Sequence, residues 1–272
     1  MINAQINSQP PFLKWAGGKR WFMENYSHLF NFKFNRLIEP FLGSGAVFFS
    51  LQPKNAILGD SNADLINAYE TIKEDWRCVF RILKEHQKNH SIEYYYSLRE
   101  KNVRSNFAKA AKFIYLNRTC WNGLYRVNSK GFFNVPIGTK TNVILESDNF
   151  EKISFCLKNV KLIANDFSKV VNSAGKGDLV FADPPYTVKH NHNGFIKYNE
   201  SLFSWDDQLR LKDSLAGAIQ KGAKVIITNA YHPSIKALYK GMGEQIKIIR
   251  PSRIAASAVA RGQFEELVIK CF

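Results

Sequence analysis

Asp178-Leu179-Val180-Phe181-Ala182-Asp183-Pro184-Pro185-Tyr186 is the stretch whose reading decides the fold. Four consecutive apolar residues, Leu179 to Ala182, suit a short strand covered on both faces, as in a parallel sheet. The two prolines that follow remove two backbone donors and fix two φ angles. The residue before each proline is held away from helix. The strand therefore runs into a rigid turn that offers one carboxylate (Asp183), one carbonyl (Pro184) and one aromatic face (Tyr186) at the rim of a sheet. That set suits gripping a planar base by its exocyclic amine. Taken alone it is equally a Pro-Pro turn with a surface tyrosine, because short motifs are hypotheses.

Working outward, Arg36–Phe41, Asn55–Asp60 and Ala223–Asn229 are apolar runs of the same kind, each closed by a polar or glycine-rich turn. The last follows a helical pattern from Asp206 to Lys221. Strands alternating with helices predict an α/β domain with a largely parallel sheet. Gln245–Arg250 and Phe264–Cys271 alternate apolar and polar residues, which suits an antiparallel edge pair. Between Asn62 and about Val160 the texture changes. Helical patterns run over 63–84 and 92–116, and a Gly-, Asn- and aromatic-rich segment over 117–141 has no strong periodicity. The expected organisation is a sheet-bearing domain of residues 1–62 and 160–272, interrupted by a mainly helical subdomain of residues 63–159.

The 272 residues carry 38 Lys+Arg against 23 Asp+Glu, a net charge of +15. Such an excess attracts polyanions and fits the electrostatic footprint of a nucleic-acid binder, although it also suits a merely solubilising surface. No segment approaches the ~18 uninterrupted apolar residues of a membrane span, and the polar start Met1–Pro11 lacks the build of a signal peptide. Cys78, Cys120, Cys156 and Cys271 are scattered without CxxC spacing, which argues against a zinc site or a disulfide framework. A cytoplasmic protein with free thiols is the expectation. The six histidines offer no metal spacing. His190 and His192 sit in a Lys-Asn-Gly loop that suits contact with phosphate or solvent, and no metal requirement is expected.

Phe41-Leu42-Gly43-Ser44-Gly45-Ala46-Val47-Phe48-Phe49 leaves the first strand and opens a helix. Glycines there let the backbone approach a ligand at the carboxyl end of the strand, where open α/β sheets bind nucleosides. Asp60 ends the next strand, where its carboxylate can accept both ribose hydroxyls. Phe48 occupies the third position of a would-be G-x-G-x-x-G and no Walker lysine is present, so a nucleoside without a pyrophosphate fits better than NAD or ATP. Upstream, Phe12-Leu13-Lys14-Trp15-Ala16-Gly17-Gly18-Lys19-Arg20 suggests a tight loop. Trp15 in it would cover an apolar ligand or plug the core, and Lys19 would meet a carboxylate.

Lys14-Trp15-Ala16-Gly17-Gly18-Lys19, Glu39-Pro40-Phe41-x-Gly43-x-Gly45 and Asp183-Pro184-Pro185-Tyr186 resemble, in this order, the motifs of the Dam-type (D12 class, α-group) DNA adenine-N6 methyltransferases. The resemblance spans nearly the whole chain. It implies a seven-stranded Rossmann-like core and S-adenosylmethionine as methyl donor, with S-adenosylhomocysteine as product. By that match Trp15, Lys19, Glu39, Phe41, Gly43, Gly45, Asp60 and Asp183 would contact the cofactor. Asp166-Phe167 resembles the acid-aromatic pair beside its adenine, although Asp166 alone reads as a helix N-cap.

Adenine N6 is a poor nucleophile because its lone pair is delocalised into the ring. Acceptors on its two hydrogens, the Asp183 carboxylate and the Pro184 carbonyl, would favour a pyramidal nitrogen, leaving alignment as the remaining task. Tyr186 would stack on the base, which has to leave the duplex to be reached.

Asn117-Arg118-Thr119-Cys120-Trp121-Asn122-Gly123-Leu124-Tyr125-Arg126-Val127-Asn128, leading into Phe133-Asn134-Val135-Pro136-Ile137-Gly138, combines arginine, asparagine and aromatic residues in a glycine-hinged loop. Arginine can grip guanine O6 and N7 together. In the family, N-G-L-x-R-x-N followed by F-N-V-P-x-G is the GATC-reading hairpin. The match therefore implies that Asn122, Leu124, Arg126 and Pro136 touch DNA, with Arg126 on guanine and Leu124 and Pro136 on a thymine methyl. It further implies that Trp121 fills the gap left by the flipped base and that Lys14 reads the outer guanine. Phe132 stands where an acidic residue is often found, and Thr139-Lys140 where close relatives carry Arg-Tyr, so flanking preference stays open. The expected partner is double-stranded DNA rather than a membrane, with the enzyme acting as a monomer and a cognate restriction endonuclease left open. Transfer to cytosine N4 or RNA adenine, and a non-catalytic DNA-binding module, are the alternatives.

Overall fold

A computed structural model describes residues 9–128, 131–188, 203–251 and 263–272. The start of the chain and the loop with His190 and His192 lie outside the described residues. The strands are β1 (Leu37–Glu39), β2 (Ala56–Asp60), β3 (Val160–Ala164), β4 (Leu179–Ala182), β5 (Lys224–Ala230), β6 (Glu244–Pro251) and β7 (Gln263–Cys271). They form a seven-stranded sheet in the order β3-β2-β1-β4-β5-β7-β6. The chain gathers into two compact units. One comprises Met1–Leu29, Leu42–Lys54 and Asn62–Ala164; the other comprises Phe30–Phe41, Asn55–Ser61 and Asn165–Phe272.

In the second unit β2, β1, β4 and β5 pair in parallel, while β7 runs antiparallel to both β5 and β6. The mostly parallel sheet and the antiparallel pair at its end are those expected from the apolar runs. β1 and β4 are buried at every residue, which is why they read as unbroken apolar stretches rather than alternating ones. Their entry is set by a charge pair. Arg36 donates Nε to Asp178 Oδ1 at 3.1 Å and a terminal nitrogen to Oδ2 at 2.6 Å, just before the two strands begin. The register Leu37↔Leu179 follows. β3, at the far end of the strand order, did not stand out in the sequence. Val160-Lys161-Leu162-Ile163-Ala164 exposes Lys161 and Ala164, and an exposed lysine is a common guard on an edge strand.

The first unit holds α1 (Arg20–Tyr26), α2 (Ala46–Leu51), α3 (Ala63–Lys88), α4 (Ile92–Glu100), α5 (Asn106–Thr119) and α6 (Phe150–Leu157). The second holds α7 (Phe167–Val171), α8 (Trp205–Gln220) and α9 (Pro233–Leu238). The helix expected over 63–84 continues to Lys88 and is broken at Asp75, whose φ of −150° and ψ of 86° are not helical. The Asp75 carboxylate accepts from the amides of Arg77 and Cys78, so it starts the second half as an N-cap would. The helix expected over 92–116 is two helices, because Lys101–Ser105 leave the helical conformation. Lys112 bridges the break by donating to the carbonyls of Arg99 and Lys101 at 2.9 and 2.7 Å. The core of this unit includes Phe12, Tyr69 and Phe150, with Phe12 edge-on to Tyr69 at 4.9 Å.

Candidate active site

In the second unit, β4 ends at Ala182 opposite Ile227 of β5. One residue further on, this register sets Asp183 beside Thr228. The fully buried Thr228 donates its hydroxyl to Asp183 Oδ1 at 2.6 Å. Asp183 is half-buried and Pro184 buried, so the carboxylate is held in a turn with little backbone freedom. Tyr186 is half-buried, and its hydroxyl donates to Glu266 Oε2 at 2.7 Å. Burial of the hydroxyl, then the charges of Asp183 and Glu266 and the bond to Glu266, raise its pKa well above the usual tyrosine value. It stays a neutral donor.

The same sheet carries the other acids. Going from β1 the chain places β2 on one side, while β4 lies on the other and leads to β5. The strand order therefore reverses between β1 and β4, the position where open α/β sheets hold ligands beyond the carboxyl ends of their strands. Glu39 ends β1 and is buried, and Asp60 ends β2 half-buried. The Asp60 carbonyl accepts from Asn165 N at 3.0 Å, which brings Asp166 and Phe167 to the end of β2. Phe41 stacks on Phe167 with centroids 5.5 Å apart and meets Phe203 edge-on at 5.6 Å. Asp166 is the N-cap of α7, accepting from Ser168 N at 2.9 Å and from Arg210 at 2.9 and 3.0 Å. Burial alone would raise its pKa. The hydrogen bonds of Ser168 and then the Arg210 guanidinium outweigh it and hold the carboxyl low. Acids at two strand ends beside the half-buried Phe41 ring fit a nucleoside, the ribose on a carboxylate and the base against the ring.

In the first unit the Lys14-to-Lys19 loop is tied down by its backbone. Fully buried Asn117 accepts from Lys14 N at 3.0 Å and donates to Lys14 O at 2.8 Å, leaving the Lys14 side chain exposed. Arg118 commits all five of its donors, bidentate to Asp148 at 2.6 and 2.7 Å and otherwise to the carbonyls of Phe12 and Val143. Half-buried Trp15 stacks on Tyr125 at 5.6 Å. Gly43 has φ 49°, and a Cβ on it would lie 2.7 Å from Trp15 Cδ1. Its carbonyl accepts from Tyr69 at 3.1 Å. Gly45 stands at the N-cap of α2 with φ 68°. Lys19, expected to meet a carboxylate, is buried and donates its Nζ to Gly17 O at 3.2 Å.

The segment over 117–141 folds back on itself. Cys120 pairs with Ile137 and Val127 with Phe133 in antiparallel bridges. Trp121 N donates to Pro136 O at 2.9 Å and Gly138 N to Thr119 O at 2.7 Å, while Tyr95 holds Val135 O at 2.9 Å. Pinned in this way, the loop leaves Trp121 54% exposed, with Asn122 and Pro136 also exposed and Leu124 half-buried. Half-buried Arg126 donates Nε to Asn134 Oδ1 at 3.0 Å, which orients its guanidinium. Asn117, Arg118, Thr228 and Glu266 escaped the sequence reading as site residues. Their signal is a polar or charged side chain set against an apolar run of a helix or strand.

Comparison with known proteins agrees along almost the whole chain. The model of the D12 class N6 adenine-specific DNA methyltransferase family matches residues 15–255. The type II methyltransferase M1.LlaDCHI of Lactococcus lactis subsp. cremoris is 37% identical over 269 residues, covering 95% of this chain and 94% of its own length. The type II methyltransferase M.MjaIII of Methanocaldococcus jannaschii is 36% identical over 257 residues, 85% and 88% of the two chains. The DNA adenine methylase of Haemophilus influenzae is 33% identical over 270 residues, 95% and 92%.

Proposed function

The chain belongs to the D12 class of N6 adenine-specific DNA methyltransferases, and from that membership we propose that it methylates an adenine flipped out of duplex DNA, within GATC, using S-adenosylmethionine. The cofactor, when bound, supplies a methyl group on a positively charged sulfur, and S-adenosylhomocysteine is the product. The observation that carries the proposal is the Asp183 carboxylate, fixed by Thr228 in a Pro-Pro turn at the carboxyl end of β4. Asp183 and the Pro184 carbonyl accept the two amine hydrogens, and Tyr186 lies against the base to offset the stacking lost on flipping. For the cofactor we assign Glu39, Phe41, Asp60, Asp166, Phe167 and Asp183 of the second unit. From the family's motifs we add Trp15, Lys19, Gly43 and Gly45 of the first.

For DNA we assign Lys14, Trp121, Asn122, Leu124, Arg126 and Pro136. The exposed Trp121 ring and the oriented Arg126 guanidinium support this assignment. Residues 63–159 would then recognise the target, and residues 1–62 and 160–272 would carry catalysis. The type II methyltransferases among the relatives make a cognate endonuclease the partner to look for.

The test is transfer of a labelled methyl group to unmethylated duplexes, with methylome sequencing to report the site. Label in duplex adenine at GATC is the expected result. Label in cytosine or RNA, or specific binding without transfer, would each overturn the reading. Asp183→Ala should abolish transfer while duplex binding survives, and near-normal turnover in that variant would remove Asp183 from its role.

A further inference from the structure

β7 carries one residue that its apolar run does not explain. Phe264-Glu265-Glu266-Leu267-Val268-Ile269 holds two acids in succession, and alternation along a strand sends them to opposite faces. Glu265 is exposed and pairs with Lys247. Glu266 is 5% exposed. A buried carboxylate is strongly disfavoured unless its oxygens are satisfied. Here Oε2 accepts from the Tyr186 hydroxyl at 2.7 Å, and Oε1 lies 3.8 Å from a terminal nitrogen of Arg250 on β6.

The strand register explains the position. Thr228 faces Val268 and Ala230 faces Glu266 across the β5–β7 ladder. Period-two alternation therefore sets Thr228 and Glu266 on one face, a diagonal step apart. The Thr228 hydroxyl holds the aspartate of the turn and also reaches the Tyr186 hydroxyl, while Glu266 on the neighbouring strand accepts from the tyrosine. The prolines fix the backbone between them, but a tyrosine ring still turns about χ1 and χ2. A hydrogen bond at the para end removes that freedom, and a phenol donating to a carboxylate makes one of the short, strong kind.

We propose that Glu266 is a positioning residue for methyl transfer: by holding the Tyr186 hydroxyl it sets the plane of the ring against which the target base lies. The inference rests on the reading of Tyr186 as the base platform. Glu266 itself need not touch cofactor or DNA. Its loss should act on the alignment of the amine, where misplacement by about 1 Å can cost on the order of a hundredfold.

The experiment measures single-turnover transfer of labelled methyl to an unmethylated duplex by the full chain. If the unsubstituted protein labels no duplex adenine, the proposed function fails, whatever Glu266 does. Where it does label adenine, Glu266→Ala should slow the step by about tenfold to a hundredfold, while KM for cofactor and duplex stay near their original values. Glu266→Gln, which keeps a carbonyl acceptor, should recover most of the rate. Tyr186→Phe removes this bond together with the hydroxyl's contact to Thr228 and should show at least a comparable loss, and Glu266→Ala should add nothing in that background. An unchanged rate in Glu266→Ala would overturn the proposal, as would an equal further loss in the Tyr186→Phe background. If Glu266→Ala does not fold, Tyr186→Phe carries the test, and a rate equal to that of the unsubstituted protein overturns the proposal.

Discussion

At the scale of single residues, a hydroxyl on the neighbouring strand helps to hold Asp183. Thr228 donates to Oδ1 at 2.6 Å from a fully buried position, and a hydrogen bond to a charged group contributes about 1.5–3 kcal/mol. Thr228→Val keeps the shape and deletes the donor. Transfer should fall by roughly tenfold to a hundredfold, since about 1.4 kcal/mol is a factor of ten in rate, with little change in duplex affinity. Arg126 presents a different case. Its Nε is occupied by Asn134, which aims the guanidinium rather than adding contact area. Arg126→Ala should relax discrimination at one guanine by about 1–3 kcal/mol, measured as binding to a panel of single-base variants of the site. Equal weakening on every sequence would instead mark Arg126 as a phosphate contact.

Among the elements, the package of α3, α4 and α5 holds histidines where charge is disfavoured. His86, near the end of α3, shares its Nδ1 with the Tyr94 hydroxyl of α4 at 2.7 Å and packs against the Tyr115 ring of α5 at 5.3 Å. Burial, with Lys101 adding to it, lowers its pKa from 6.5 to about 4. Burial also lowers that of His90, which meets the Tyr115 hydroxyl at 2.8 Å. Both groups bind protons more weakly folded than unfolded, so the unfolded chain gains protons first as pH falls. Stability should be flat above about pH 6.5 and decline as pH drops toward 4, in denaturant titrations read across that window. His86→Gln should flatten the decline. The same elements show where sequence patterns fall short. The break at Asp75 and the gap at Lys101–Ser105 are local capping choices, and a period count over a long window averages across them.

For the molecule as a whole, the +15 charge is the property that acts at a distance. If it serves duplex binding, log affinity falls linearly with log salt as counterions are released. A protein with several phosphate contacts loses about a thousandfold or more between roughly 50 and 200 mM salt. Fluorescence anisotropy on a labelled duplex would show this slope. A flat profile would mean that the excess charge serves solubility. Among the described residues no helix is long and apolar enough to cross a membrane.

The apolar runs, the glycine loop and the Asp-Pro-Pro-Tyr turn were legible in the sequence, and with them the α/β class and the family. Strands buried on both faces write themselves as unbroken hydrophobic stretches, and a proline pair announces its own rigidity. Tertiary structure alone decided which residues hold those groups in place. Thr228 is 45 residues from Asp183, and Glu266 is 80 from Tyr186. They meet because the β4–β5 and β5–β7 registers bring them together, and register is a property of paired strands that no single strand encodes. Asn117 and Arg118, 103 and 106 residues from the backbone groups of Lys14 and Phe12 that they grip, were hidden for the same reason. A polar side chain in an apolar helix shows its purpose only when its partner is in view.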